Sequence, residues 1–414
     1  MKILKLPSYF FPERISSSHL SEDTREAYLK AGFTIENYVP MPTRGVSREV
    51  WEKYKKISYE ELEDGKVIVH RFPMFREGKN PVLRAIRYVL VNLIQYHKGI
   101  RTEDVDLVMA GSTPPTQGLL CGKVAAKLSK KQGKKVPFIY TLQDVFPDSL
   151  LSTGMVKKKG VIWKIGRKME DKTYSYADKI IVISEDIKRN IMDKGVPEEK
   201  IEVIYNWIDT ETVRPVAFCD NILAKELGIT GDKFRVVYAG NLGMAQSVST
   251  LIGAAERLQN DNVEFLIFGK GAEEEKLKKS AERLSNVRFF PLQPAERISE
   301  VYSLGDCCAV LCKAGIGGIG VPSKTWSIMA CGRPLLVSFD KSELCHTVSK
   351  ANAGLCSPAE DVEALIENIR ALNSDRAKTL QMGENARKYA EEYADKKQAT
   401  QKHIELIKKI TRQY

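Results

Sequence analysis

Arg235-Val236-Val237-Tyr238-Ala239-Gly240-Asn241-Leu242-Gly243 opens the second half of this 414-residue chain. Val236 to Ala239 is a short apolar run that stops at two glycines flanking Asn241-Leu242. A run of that length, bounded by turn residues, reads as a buried strand. Downstream, Val248–Leu258 has the spacing of an amphipathic helix, and Val263–Phe268 is a second strand closing at Gly269-Lys270-Gly271. A helix over Glu273–Ser285, a strand at Val287–Phe290 and another at Cys307–Leu311 continue the series. Strand, glycine turn, helix, strand is the grammar of a parallel sheet covered by helices.

The same grammar holds upstream. Lys2–Leu6, Ile35–Val39, Val67–Phe72, Asp106–Ala110, Phe138–Leu142, Lys179–Ile183 and Ile201–Ile204 read as strands, with helices over His19–Lys30 and Leu119–Leu128. A charged insertion runs from Ser47 to Glu63. Arg214-Pro215-Val216 breaks the pattern, so a linker falls near Thr210–Cys219. The fold class is α/β, with two Rossmann-like domains in series. Residues 1–209 form the first, residues 220–394 the second, and residues 395–414 a C-terminal helix returning to the first. Ligands of such sheets bind beyond the carboxyl ends of the strands, so two such edges facing one another would enclose a cleft.

Bulk properties fit this reading. A single core stops growing well short of this length. Hydrophobic residues make up 43% and charged residues 28%, ordinary for a globular enzyme. The eight cysteines form no metal-binding spacing and lie mostly in apolar runs, as small hydrophobes do. A reducing, cytoplasmic setting suits them. No run approaches the ~20 apolar residues that span a bilayer. The net charge of +11 points to an anionic partner, whether nucleic acid, anionic lipid or a pyrophosphate substrate, against the plainer reading that it only keeps the protein soluble.

Three features at strand ends of the second half carry candidate chemistry. The strongest is Ala314-Gly315-Ile316-Gly317-Gly318-Ile319-Gly320-Val321-Pro322-Ser323-Lys324. Glycines let backbone N–H groups approach an anion, a helix start adds free N–H groups, and Lys324 adds a full charge. The stretch predicts a phosphate cradle, against the plainer reading of a strand–helix packing turn. Gly240 to Gly243 and Gly269-Lys270-Gly271 are weaker signals on their own, each consistent with an ordinary turn.

Taken together, these pieces resemble the nucleotide-binding half of retaining family 4 glycosyltransferases of the GT-B architecture. The resemblance is to the branch that builds bacterial capsule, O-antigen and exopolysaccharide. The matching residues run from Tyr238 to Gln246, Phe268 to Gly271, and Val321 to Pro334. In the first half, Asp144-Val145-Phe146-Pro147-Asp148, Val182-Ile183-Ser184-Glu185 and Val203 to Asp209 resemble family signatures. The resemblance implies a metal-independent hexosyltransferase that uses a nucleoside diphosphate sugar, UDP by family habit, and needs no cofactor. It places the donor against Gly240, Asn241, Gly243, Gln246, Gly269, Lys270, Gly271, Gly315, Gly317, Gly318, Ser323, Lys324 and Ser327. It places the acceptor, a glycan or a lipid-linked glycan, against Arg14, Ser16, His19 and Asp144. Lys324 and the loop amides would stabilise the departing diphosphate, and Asp144 would position or deprotonate the acceptor. As a bare strand-end residue, Asp144 reads equally well as a helix N-cap.

The sequence also departs from the family. The Glu-x7-Glu pattern would fall at Ile319 and Ser327, neither acidic, and Asn241 and Gln246 stand where an arginine and a lysine are common. Other readings therefore stay open: a nucleotide-sugar epimerase, or a non-catalytic partner subunit. Two stretches, Arg84–Leu90 and Lys157–Lys168, mix cations with apolar residues. They suggest peripheral contact with an anionic inner-membrane surface, or simply solvated helix faces over a core stripe. No nucleic-acid-reading motif accompanies the charge.

Overall fold

The computed structural model describes residues 1–414 apart from 14–17, 77–79, 150–159, 318–320 and 414. The chain divides into two compact units. Met1–Ile183, Ile187–Ile204 and Thr400–Tyr414 form the first, and Ser184–Asp186 with Tyr205–Ala399 the second.

The first unit is built on β1 (Lys2–Lys5), β2 (Thr34–Pro40), β3 (Tyr59–Leu62), β4 (Val67–Phe72), β5 (Leu107–Gly111), β6 (Phe138–Leu142), β7 (Lys179–Val182) and β8 (Ile201–Val203). Their order is β3-β4-β2-β1-β5-β6-β7-β8. All pair in parallel except β3, which runs antiparallel to β4. Leu107 to Ala110 and Ile180 to Val182 are buried throughout, as strands covered on both faces must be. The charged insertion expected over Ser47–Glu63 holds helix α2 (Arg48–Tyr54) and β3. Its strand carries little apolar signal because it is an edge, where charge blocks further pairing.

Helix α1 (Ser18–Lys30) connects β1 to β2. Helices α3 (Pro81–Gly99), α4 (Gln117–Gln132) and α5 (Val161–Tyr176) connect β4 to β5, β5 to β6 and β6 to β7. These three crossovers step the same way along the sheet, so right-handed connection puts them in one layer, with α1 on the opposite face. The C-terminal helix Lys396–Arg412 joins α1 there. His403 Nδ1 lies 3.1 Å from the Tyr28 hydroxyl, and burial pushes the His403 pKa down to about 3, so the ring is neutral.

The second unit holds β9 (Phe234–Asn241), β10 (Val263–Lys270), β11 (Val287–Phe290), β12 (Cys307–Leu311), β13 (Leu335–Ser338) and β14 (Gly354–Ser357). The order is β11-β10-β9-β12-β13-β14, and every pair is parallel. The chain winds outward from β9 in one direction and from β12 in the other, so the strand order reverses between them. That reversal point is where open α/β sheets bind ligands. Cys307, Cys308, Cys312 and Cys331 are buried with the aliphatic residues around them, and all eight cysteines are free thiols.

Candidate functional site

The loops that follow β9 and β12 meet at this reversal point. The Lys313 N–H donates to the Ala245 carbonyl at 2.9 Å and ties one loop to the other. Lys324 begins a helix, Lys324–Ala330, in the segment after β12. Its ammonium lies 4.1 Å from the centroid of the Tyr238 ring. It also lies 2.7 Å from the point a Cβ would occupy on Gly240, whose φ is +147°. Only glycine meets both demands, the backbone angle and the empty space. Burial lowers the Lys324 pKa to about 8, and no carboxylate pairs with it among the described residues. Its contact is with the Tyr238 ring, and a desolvated ammonium with no carboxylate beside it keeps its full attraction for negative charge.

The other expected donor residues fall into two groups. Asn241, Gly243 and Gln246 share one turn: Asn241 Nδ2 donates to Gln246 Oε1 at 3.1 Å, and a Cβ on Gly243 would come within 2.7 Å of that same Nδ2. Ser323 is exposed beside Lys324, and Ser327 is partly exposed one turn along the same helix. Gly269 and Gly271, in contrast, answer to packing. A Cβ on Gly269 would meet the Gly240 carbonyl at 2.5 Å, and one on Gly271 would collide with the Leu242 backbone. Lys270 between them is exposed. Gly318 lies outside the described residues.

The glycine stretch needs a correction. Its N–H groups were expected to await phosphate, yet the amides of Gly315 and Gly317 both donate to Asp340 Oδ2 at 2.9 Å. The Ala314 amide donates to Glu360 Oε2 at 3.1 Å. A concave run of backbone donors attracts whatever anion is within reach, and here it is carboxylate from neighbouring strand ends. Glu360 also accepts from the Ser247 hydroxyl at 2.7 Å, so one side chain bridges the loops after β9 and β12. The Ser247 hydroxyl and, after it, the Ala314 amide hold the Glu360 pKa below its usual value. Ser247 has a φ of 43°, unusual for a side chain with a Cβ, and is buried. Asp340 and Glu360 were missed by sequence reasoning. Both follow strands of the second sheet, and an acidic residue just past a strand end was the available signal.

In the first unit the strand order reverses between β1 and β5. The Ser112 hydroxyl, just beyond β5, accepts the N–H groups of Gln143 at 3.1 Å and Asp144 at 3.2 Å. This fixes the turn that presents Asp144. Partial burial raises the Asp144 pKa, offset by hydrogen bonds from the Ser149 hydroxyl and the Val145 amide. Asp148 behaves differently. Lys194 meets it at 2.7 Å and Asn190 at 3.4 Å, and despite burial these partners hold its pKa below the usual value. The two acids of one motif are thus divided: Asp148 is held in an ion pair, while Asp144 has only neutral hydrogen-bond partners in these contacts. His19 is exposed in the first turn of α1, and Arg14 and Ser16 lie outside the described residues.

A pocket after β1 adds residues that the sequence did not single out, among them Lys5, Tyr9, Phe10, Glu13, Arg25 and Asn37. Burial and the nearby charge of Arg25 lower the Lys5 pKa to about 8. Glu13 Oε1 accepts the amides of Thr43 and Arg44, each at 2.7 Å, and locks the loop after β1 to the loop after β2. Among the described residues, no three His, Cys, Asp or Glu side chains gather as a metal site, and no helix is long and apolar enough to cross a membrane.

Comparison with known proteins covers both halves of the chain. Residues 220–389 match the family model for glycosyl transferases group 1, and residues 26–212 match that for glycosyltransferase family 4. The putative colanic acid biosynthesis glycosyl transferase WcaI of Escherichia coli (strain K12) is 29% identical over 300 residues, covering 70% of this chain and 72% of WcaI. Sucrose-phosphate synthase from Thermosynechococcus elongatus is similar with a TM-score of 0.74 at 16% identity, over 100% of both chains. HepE of Anabaena, solved in complex with UDP, gives a TM-score of 0.71 at 17% identity over 99% of this chain and 100% of HepE. At these identities the two structures speak for the fold.

Proposed function

The chain belongs to the group 1, family 4 glycosyltransferases of GT-B fold, and from that premise we propose that it transfers a hexose from a UDP-sugar to a lipid-linked glycan in cell-surface polysaccharide synthesis. The observation that carries this reading is the placement of Lys324 against Gly240 at the reversal point of the second sheet. The donor diphosphate takes the position beside the Lys324 ammonium. As the bond from the sugar to the diphosphate breaks, negative charge grows on the leaving oxygen, and a preorganised cation in a desolvated site favours that state over the ground state. Because Lys324 supplies this charge, the transfer runs without a divalent metal. It retains anomeric configuration, the acceptor hydroxyl attacking from the face that the diphosphate leaves. Asp144 receives the hydroxyl proton, and its raised pKa suits a base that must hold a proton briefly.

Asn241, Gln246, Ser323 and Ser327 supply neutral hydrogen bonds to the nucleotide and the sugar. Asp340 and Glu360 act one step back, by fixing the loop that carries Lys324 to its helix. The acceptor takes the first unit, delivered at the inner face of a membrane. Donor hydrolysis and transfer, followed over a panel of nucleotide sugars with and without EDTA, test the reading. Turnover of a UDP-sugar that survives EDTA and is lost in Lys324→Ala is the expected result. Absence of both binding and turnover across the panel would leave a non-catalytic subunit.

A further inference from the structure

Helix α3 is inverted relative to an ordinary surface helix. Its inward positions include Arg87 and Gln95, both 0% exposed, while Val82 is 64%, Val89 56% and Leu93 53% exposed. Leu83, Ile86 and Leu90 are exposed beside them. These positions recur at helical spacing, so they form one stripe, and the stripe faces away from the core. A surface helix buries such a stripe, because leaving it in water forfeits its transfer free energy.

Two further features lie in the same layer. Helix α4 packs between α3 and α5. Its outward positions Lys123, Lys127 and Lys130 are exposed, and neither α3 nor α4 contains an aspartate or glutamate. On α5, Val161, Ile162 and Ile165 are exposed, with Lys164 and Lys168 among them. The layer thus presents two apolar stripes with lysines between.

We infer that the outward face of the α3–α4–α5 layer docks on an anionic lipid bilayer. Apolar side chains enter the interface between headgroups and acyl chains, and the lysines meet the negative surface. A second copy of the chain would bring like charges together, which disfavours it as the occupant. None of the helices described crosses a membrane, so the layer lies on the surface. The inner face of α3 links docking to the acceptor site. Gln95 Nε2 donates to the carbonyls of Pro7 at 3.0 Å and Tyr38 at 2.8 Å, and the hydroxyls of Tyr88 and Tyr9 lie 2.8 Å apart. The loop after β1 therefore rests on the helix whose other side meets lipid. This inference rests on the proposed lipid-linked acceptor for its purpose, and on the exposed stripe for its location.

The test is co-sedimentation of the full chain with vesicles of phosphatidylcholine alone or of equal parts phosphatidylcholine and phosphatidylglycerol. The wild type is expected to sediment with the anionic vesicles, less so at high salt, and to stay soluble with the neutral ones. Val89→Glu with Leu93→Glu lowers partitioning about tenfold or more, since two buried apolar contacts become charges. Lys123→Glu with Lys127→Glu removes the preference for anionic lipid. Both variants keep the UDP-induced thermal shift, which reports a folded donor domain independently of lipid. A wild type that ignores anionic vesicles, or a Val89→Glu/Leu93→Glu variant that binds them equally well, overturns the inference. So does a wild-type dimer in light scattering that the same variant disperses. Because UDP binding and transfer to a water-soluble acceptor are read separately, failure of docking is distinguishable from failure of the glycosyltransferase reading.

Discussion

The ammonium of Lys324 stands 2.7 Å from where a side chain on residue 240 would begin, so the identity of one residue makes room for the other. Gly240→Ala places a methyl there and forces a φ of +147° on an L residue. Strain of this kind costs about 1–3 kcal/mol. The variant is expected to lose that much stability in urea unfolding, and to bind UDP at least tenfold more weakly in calorimetry because Lys324 is displaced.

Asp144→Asn and Asp148→Asn should part company. Asp148 is paired with Lys194, which also meets Glu170 at 3.2 Å, so its loss weakens a half-buried charge cluster without stranding the ammonium and lowers stability by about 1 kcal/mol, with activity changed in proportion to folded protein. Asp144→Asn leaves stability near wild type and lowers kcat by about 100-fold or more. Urea midpoints and steady-state rates of the two variants read this directly.

The same pair sets an acid dependence. Asp148 has a folded pKa below its unfolded value, so the stability it contributes is present above the unfolded pKa and is lost as pH falls through the folded one. The wild type should lose stability on acidification more steeply than Asp148→Asn. Unfolding curves from neutral pH down into the carboxylate range check it.

Ser247 carries two opposed terms. Its φ of 43° costs roughly 1–2 kcal/mol relative to glycine, and its bond to Glu360 returns about 1 kcal/mol. Ser247→Gly should therefore be near neutral in stability, and Ser247→Ala destabilising by about 1 kcal/mol, since it keeps the strain and drops the bond. Urea unfolding of both variants decides the sign.

Much of the fold was legible because its strands are buried on both faces. Val236 to Ala239 or Phe265 to Phe268 admit little but apolar residues, and the glycine turns after them mark the strand ends. The edge strand β3 was hidden in a charged segment, because one exposed side removes the apolar requirement. At the site, Lys324 and Gly240 were each legible as local motifs, and the sheet order brings them together across 84 positions (324 less 240). What sequence could not show was that Asp340 and Glu360 reach the loop amides. Those contacts depend on the loops after β12, β13 and β14 lying side by side. The glycines at 269 and 271 looked like the others, yet they serve backbone approach, a distinction that rests on what stands opposite each α-carbon.

The central claim is that the Lys324 ammonium holds the donor diphosphate. Calorimetric titration of UDP into the wild type and Lys324→Met, repeated from pH 6 to pH 9.5 or about that range, tests it most directly. Burial lowers the free Lys324 pKa to about 8, so the ammonium is lost as pH rises through that value. The wild type should bind UDP with an affinity that falls above about pH 8, while Lys324→Met binds weakly and without that fall. Equal affinities for the two proteins across the range would contradict the account.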